Sequence, residues 1–148
     1  MTKRLLTLAL AVMATTAVFA QSQMARTEAP KSKVLTALQG TWIFTSQNGQ
    51  DMSGGPEVSV TITDNKYAQT IAGEVAERGT FKLDESKKPM TMDLTILEGQ
   101  SAGKSQVGIF ELTETKMTVK LADAGETTRP TNFNQEDGFF LITMAKKK

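Results

Sequence analysis

The sequence predicts an all-β protein, an eight-stranded antiparallel up-and-down β-barrel preceded by a short N-terminal helix. Three observations point there. From Thr41 onward apolar residues recur at every second position, the period of half-buried strands. Turn-forming pairs and short polar runs interrupt that alternation at hairpin spacing, eight strands in all. The chain has no cysteine, so a domain of this size must be held by its core alone.

The N-terminus is read separately. Met1 to Ala20, "MTKRLLTLALAVMATTAVFA", has a basic start at Lys3 and Arg4, an apolar run from Leu5 to about Phe19 and a small-residue cleavage site before Gln21, the pattern of a secretory signal peptide. The run is short and wrongly flanked for a membrane span, which needs about 20 apolar residues. The mature chain is then expected outside the cytoplasm, secreted or periplasmic, with no stable membrane span. Residues 21–30 are polar and Ala-rich, a flexible leader, and residues 31–148 form one domain.

The elements follow in order. "KSKVLTALQ", Lys31 to Gln39, places Val34, Leu35 and Leu38 at helical spacing, and Gly40 ends the helix. Trp42, Phe44 and Ser46 alternate with Thr41, Ile43 and Thr45 in a first strand; Val58, Val60 and Ile62 mark a second. Asp64-Asn65 turns the chain into a strand near Lys66 to Ala72, and Gly73-Glu74 turns it again into Val75 to Leu83. Met90, Met92, Leu94 and Ile96 give the clearest alternation in the chain. "EGQSAGK" leads to a strand from Gln106 to Leu112, "TET" to Met117, Val119 and Leu121, and a longer loop to a last strand, Phe139 to Lys146.

Composition excludes several chemistries. The chain carries +1 overall, and loss of Lys3 and Arg4 with the signal leaves 15 basic against 16 acidic side chains, no electrostatic footprint for nucleic acid. Without Cys or His there is no thiol nucleophile, no imidazole base and no Cys/His zinc site, so neither a metal nor a cofactor is expected.

"LQGTW" (Leu38 to Trp42) carries the G-x-W pattern that opens the first strand of lipocalins. With "GTFKLDESKKPMTMDLTI" (Gly79 to Ile96), "GIFEL" (Gly108 to Leu112) and "RPTNF" (Arg129 to Phe133), it makes the domain similar to an uncharacterised lipocalin-like family abundant in Planctomycetes. The resemblance spans nearly the whole of residues 31–148 and implies a calycin-type barrel in an exported setting, with no established activity. It also implies that Trp42 closes one end of the barrel, stacked against a basic side chain from near the last strand. Lys146, in phase with Phe140, Ile142 and Met144, and Arg129, in the loop before that strand, are the two candidates; the family's usual residue there is Arg. The plainer reading of Trp42 is ordinary core filling.

Other motifs reduce to structure. Gly103-Lys104-Ser105 ends like a phosphate-binding loop, but Glu98 stands where that motif needs glycine and no helix follows. Glu74 and Glu77, three apart on a strand, are expected on opposite sides as solvated surface rather than as an acid–base pair. Lys146-Lys147-Lys148 reads as a soluble tail.

An eight-stranded barrel is either filled by its side chains or leaves room for one small ligand. The expected inward face is apolar, and Phe44, Val60, Met90, Met92, Leu94, Phe110, Met117, Val119, Ile142 and Met144 are expected to line a pocket. Its methionines would adapt to a guest, and small Ser46 and Gly108 would leave space. The loop "NGQDMSGGP", Asn48 to Pro56, would border the open end. The function expected is a non-enzymatic, monomeric binding module for a small hydrophobic molecule; the alternative is a filled barrel acting through its loops as an interaction or inhibitor domain.

Overall fold

A computed structural model describes residues 31–148. The signal peptide and leader expected over residues 1–30 lie outside the described residues. One helix, α1 (Lys33–Leu38), precedes nine strands: β1 (Gly40–Gln47), β2 (Gln50–Asp51), β3 (Val58–Thr63), β4 (Lys66–Ile71), β5 (Glu74–Asp84), β6 (Met90–Glu98), β7 (Ser105–Leu112), β8 (Lys116–Ala122) and β9 (Phe139–Lys146). Eight of them pair antiparallel with their chain neighbours, and β9 returns to pair with β1 from Trp42↔Lys146 to Gln47↔Ile142, which closes the barrel. The two-residue β2 lies outside that circle. It pairs only with the end of β1 through a tight turn at Asn48-Gly49, where both residues have positive φ (49° and 76°), the conformation an Asn-Gly hairpin turn demands.

The meander places every second connection at the same end. One end carries α1, the Asp64-Asn65 turn, the β5–β6 loop and the β7–β8 turn; the other carries the β1–β3 loop, the Ala72-Gly73 turn and the β6–β7 and β8–β9 loops. Helix α1 starts where Ser32 Oγ accepts from the Leu35 amide at 3.0 Å. Gln39 then ties the helix to the sheet, its Oε1 accepting from the Asp64 amide and its Nε2 donating to the Leu35 and Asp64 carbonyls. The first end is therefore plugged.

Alternation sends Trp42, Phe44, Val58, Ile62, Phe81, Met92, Leu94, Phe110, Met117, Val119, Leu121, Ile142 and Met144 into one buried cluster, joined by Leu38 from the helix and by Tyr67. Three bulges break the phase, one of them in the β5–β6 ladder, where Arg78 opposes Glu98 while Gly79 opposes Ile96. The β1–β9 register shifts between Phe44 and Ser46, and the β4–β5 register shifts so that Gln69 opposes Glu77 while Thr70 opposes Val75.

The β8–β9 loop, residues 123–138, folds over the outside of the barrel as a strap. Lys120 points away from the interior, between inward Val119 and Leu121, yet is fully buried beneath it. Its Nζ donates to the Asn134 carbonyl and to Glu136 Oε2 (2.7 Å) and sits 4.9 Å from the Phe139 ring centroid, so the buried ammonium is paired on every side shown. Among the described residues no helix is long and apolar enough to cross a membrane.

Candidate functional site

At the plugged end, Trp42 is fully buried, its Nε1 donating to the Leu38 carbonyl at 2.8 Å. Lys146 is its cross-strand neighbour, with Nζ 5.2 Å from the ring centroid and donating to the Ala37 carbonyl at 3.0 Å. The lysine stem runs past Gly40, 3.7 Å from where a β-carbon there would stand, and so reaches over the indole to the helix end. Arg129 is elsewhere. It holds the strap to the outer face of β6 and β7, donating to the Gly108 carbonyl at 2.8 Å and pairing with Asp93 at 2.6 Å. The basic residue at Trp42 is Lys146.

Above this plug the barrel encloses a cavity of about 670 Å³ that reaches the opposite end. Its size lies in the range of small-molecule sites, which run to about 300–1,000 Å³. Of the residues expected in a pocket, Phe44, Val60, Met92, Leu94, Met117, Val119, Ile142 and Met144 line it. Met90 and Phe110 do not. Phe110 is fully buried in the core and Met90 packs against that core, so both belong to the packing rather than to the cavity wall.

The small residues contribute no space either. The bulge in β1 moves the interior phase from Ser46 to Gln47, which lines the cavity in its place. A β-carbon on Gly108 would stand 2.5 Å from Leu121 Cδ2, so the leucine already fills the volume the missing side chain leaves.

The polar part of the wall was not expected from the sequence. Tyr67, Gln69, Glu77 and Gln106 all face the cavity. Glu77 is the clearest correction: it is in step with inward Gly79 and Phe81 along β5, and the bulge falls beyond it at Ala76, so it lies on the interior face, where its Oε1 accepts from the Tyr67 hydroxyl at 2.8 Å. Burial pushes the Tyr67 hydroxyl far above its ordinary range, and the bond to Glu77 pushes it further, so Tyr67 keeps its proton and donates it in a hydrogen bond to the carboxylate. Gln106 is satisfied by donating to the Ala122 carbonyl at 3.0 Å. Gln100, Ser101, Lys104 and Asp123 complete the mouth, from the β6–β7 loop and the start of the strap. Gly103-Lys104-Ser105 is thus part of a hairpin connection at a cavity rim.

Alternation in a plain sequence hides such residues because a polar side chain on an inward position looks like a strand reading in the opposite phase. The available signal was phase counted back from apolar neighbours: Glu77 is in step with Phe81 and Leu83, and Gln106 with Phe110 and Leu112. Among the described residues no group of acidic, Cys or His side chains is placed to hold a metal ion.

No family model matches the chain and no curated protein matches it. The closed eight-stranded antiparallel barrel is compatible with a lipocalin-like fold.

Proposed function

We propose that this chain is an exported, monomeric, non-enzymatic binding module for a small hydrophobic molecule, and a member of the lipocalin-like family that its "LQGTW" and "RPTNF" blocks resemble. The observation that carries this reading is the cavity: about 670 Å³ inside a closed barrel, with a floor of Phe44, Met92, Met117, Val119 and Met144. Burying an apolar guest there removes its surface from water at about 25 cal/mol per Å². Three methionines on that floor can repack around guests of different shape. A filled barrel acting through its loops would need no such space. Export rests on the residues of the N-terminus, and the non-enzymatic reading on a chain without His or Cys.

Titration with fluorescent fatty-acid and retinoid-like probes is expected to give saturable binding by at least one of them, with Kd on the order of micromolar, about −8 kcal/mol. Trp42 lies outside the cavity wall, so the probe's own emission is the better reporter. No saturable binding by any probe would overturn the reading in favour of the filled-barrel alternative. Mass spectrometry of the native protein is expected to find an N-terminus at or near Gln21, and an intact Met1 in the cytosolic fraction would overturn export.

A further inference from the structure

The cavity wall holds one carboxylate that its own fold leaves half used. Glu77 Oε1 is fixed by the Tyr67 hydroxyl, and among the described residues Tyr67 is its only hydrogen-bond partner. Among the described residues no cation pairs with it, although Arg78, the next residue along, pairs with Glu98 at 3.0 Å. The second oxygen and the charge of Glu77 are therefore open toward the cavity that the residue lines.

The geometry that holds the pair is built rather than incidental. Tyr67 on β4 is the cross-strand partner of Gly79 on β5, and a β-carbon on Gly79 would stand 2.7 Å from Tyr67 Cε1 and 2.8 Å from its hydroxyl oxygen. The missing side chain is the slot in which the phenol lies, and it aims the hydroxyl at Glu77. Because the phenol's one proton is spent on Glu77, what the pair offers a guest is acceptors and negative charge. Among the described residues Lys104 is the one cation on the wall. It is an exposed rim residue of the β6–β7 loop, and Asp123 shares that rim. Carboxylates thus outnumber cations around the cavity, and the carboxylate set against the barrel wall is Glu77.

Resting on the reading of the cavity as an apolar binding site, we propose that Glu77, positioned by Tyr67, is a head-group site that selects small amphiphiles ending in a primary ammonium. The alkyl chain lies on Phe44, Met92, Met117 and Met144, and the ammonium donates to the free oxygen of Glu77. In a partly desolvated barrel an opposite charge at contact is worth several times its value in water. A ligand carboxylate meets repulsion and an oxygen with no proton to give. A neutral hydroxyl can donate to Glu77 without the charge, and falls between.

Calorimetric titration of the purified protein with decylamine, decanol and decanoate tests this, the tail being constant and the head varied. Decylamine is expected to bind at least about 10-fold more tightly than decanoate, with decanol between them. Glu77→Gln is expected to weaken decylamine by about 10-fold or more while leaving decanol within about 2-fold, because the amide keeps the shape and loses the charge. Tyr67→Phe, which frees Glu77 to rotate, is expected to weaken decylamine by a few-fold without reversing the order of the three. Decanoate binding as tightly as decylamine, or decylamine affinity unchanged in Glu77→Gln, would overturn the head-group site while leaving an apolar cavity that binds. If none of the three compounds saturates, the binding reading itself falls with it.

Discussion

Replacing Trp42 with Ala is expected to cost about 3 to 5 kcal/mol of folding stability, the range for truncating a buried aromatic, read as a shift of the urea midpoint. The side chain has no exposure to lose, and three separate elements lean on it. Its indole nitrogen holds the last carbonyl of α1, its ring carries Lys146, and its strand position pairs with both β3 and β9. Removing the ring opens a cavity beneath a six-residue helix too short to be stable by itself. Lys146→Ala is expected to cost much less, about 1 kcal/mol, since the residue is only half-buried and a cation over a ring contributes about that much at such a site. The two losses are expected to be non-additive, because without the ring the lysine has little left to cover. Strictly additive losses in the double-mutant cycle would show that the 5.2 Å contact contributes nothing beyond proximity.

The barrel was legible because its signal is redundant. Eight runs of period two, each ended by a turn residue, specify the same architecture, and an error of a residue at any boundary leaves the pairing intact. The helix, the strand order and most of the apolar floor follow from that pattern. What it could not supply are the places where one extra residue changes the phase. Ser46 and Gln47, and the Glu74 to Glu77 stretch, look regular in the sequence, and only cross-strand pairing reveals that a residue has been skipped. The Asn48-Gly49 hairpin is legible in principle, since Asn-Gly is a strong short-range turn signal, but its second strand is only two residues long and has no period of its own. The strap was not. Residues 123–138 have no period, and nothing local indicates that Lys120, on an outward position, is buried beneath them. The family resemblance points Arg129 toward Trp42 as one of two candidates, but its place on the outer face depends on where that aperiodic loop crosses β6 and β7.

Gly79→Ala is expected to be as damaging as many core truncations, about 3 kcal/mol, through crowding rather than through loss of contact. The new methyl would lie 2.2 Å from the Thr95 carbonyl oxygen, a backbone atom of the neighbouring strand that can retreat only if β5 and β6 part. On its other side stands the Tyr67 ring, which can leave, but only by abandoning Glu77. Backbone conformation is not the cause, since Gly79 does not occupy the left-handed region. Gly73, in the Ala72-Gly73 turn, supplies the contrast. Its φ is 84° with open space around it, so Gly73→Ala should cost only the conformational penalty, about 1 kcal/mol. Urea unfolding of both variants checks the ratio, and a Gly79→Ala loss no larger than that of Gly73→Ala would mean the two strands can separate locally at little cost. The substitution also links the wall to its chemistry. With the phenol displaced, Glu77 loses its anchor, so at a temperature where the variant is still folded its preference for decylamine over decanol should shrink, while decanol itself is held by the same floor of Phe44, Met92, Met117 and Met144.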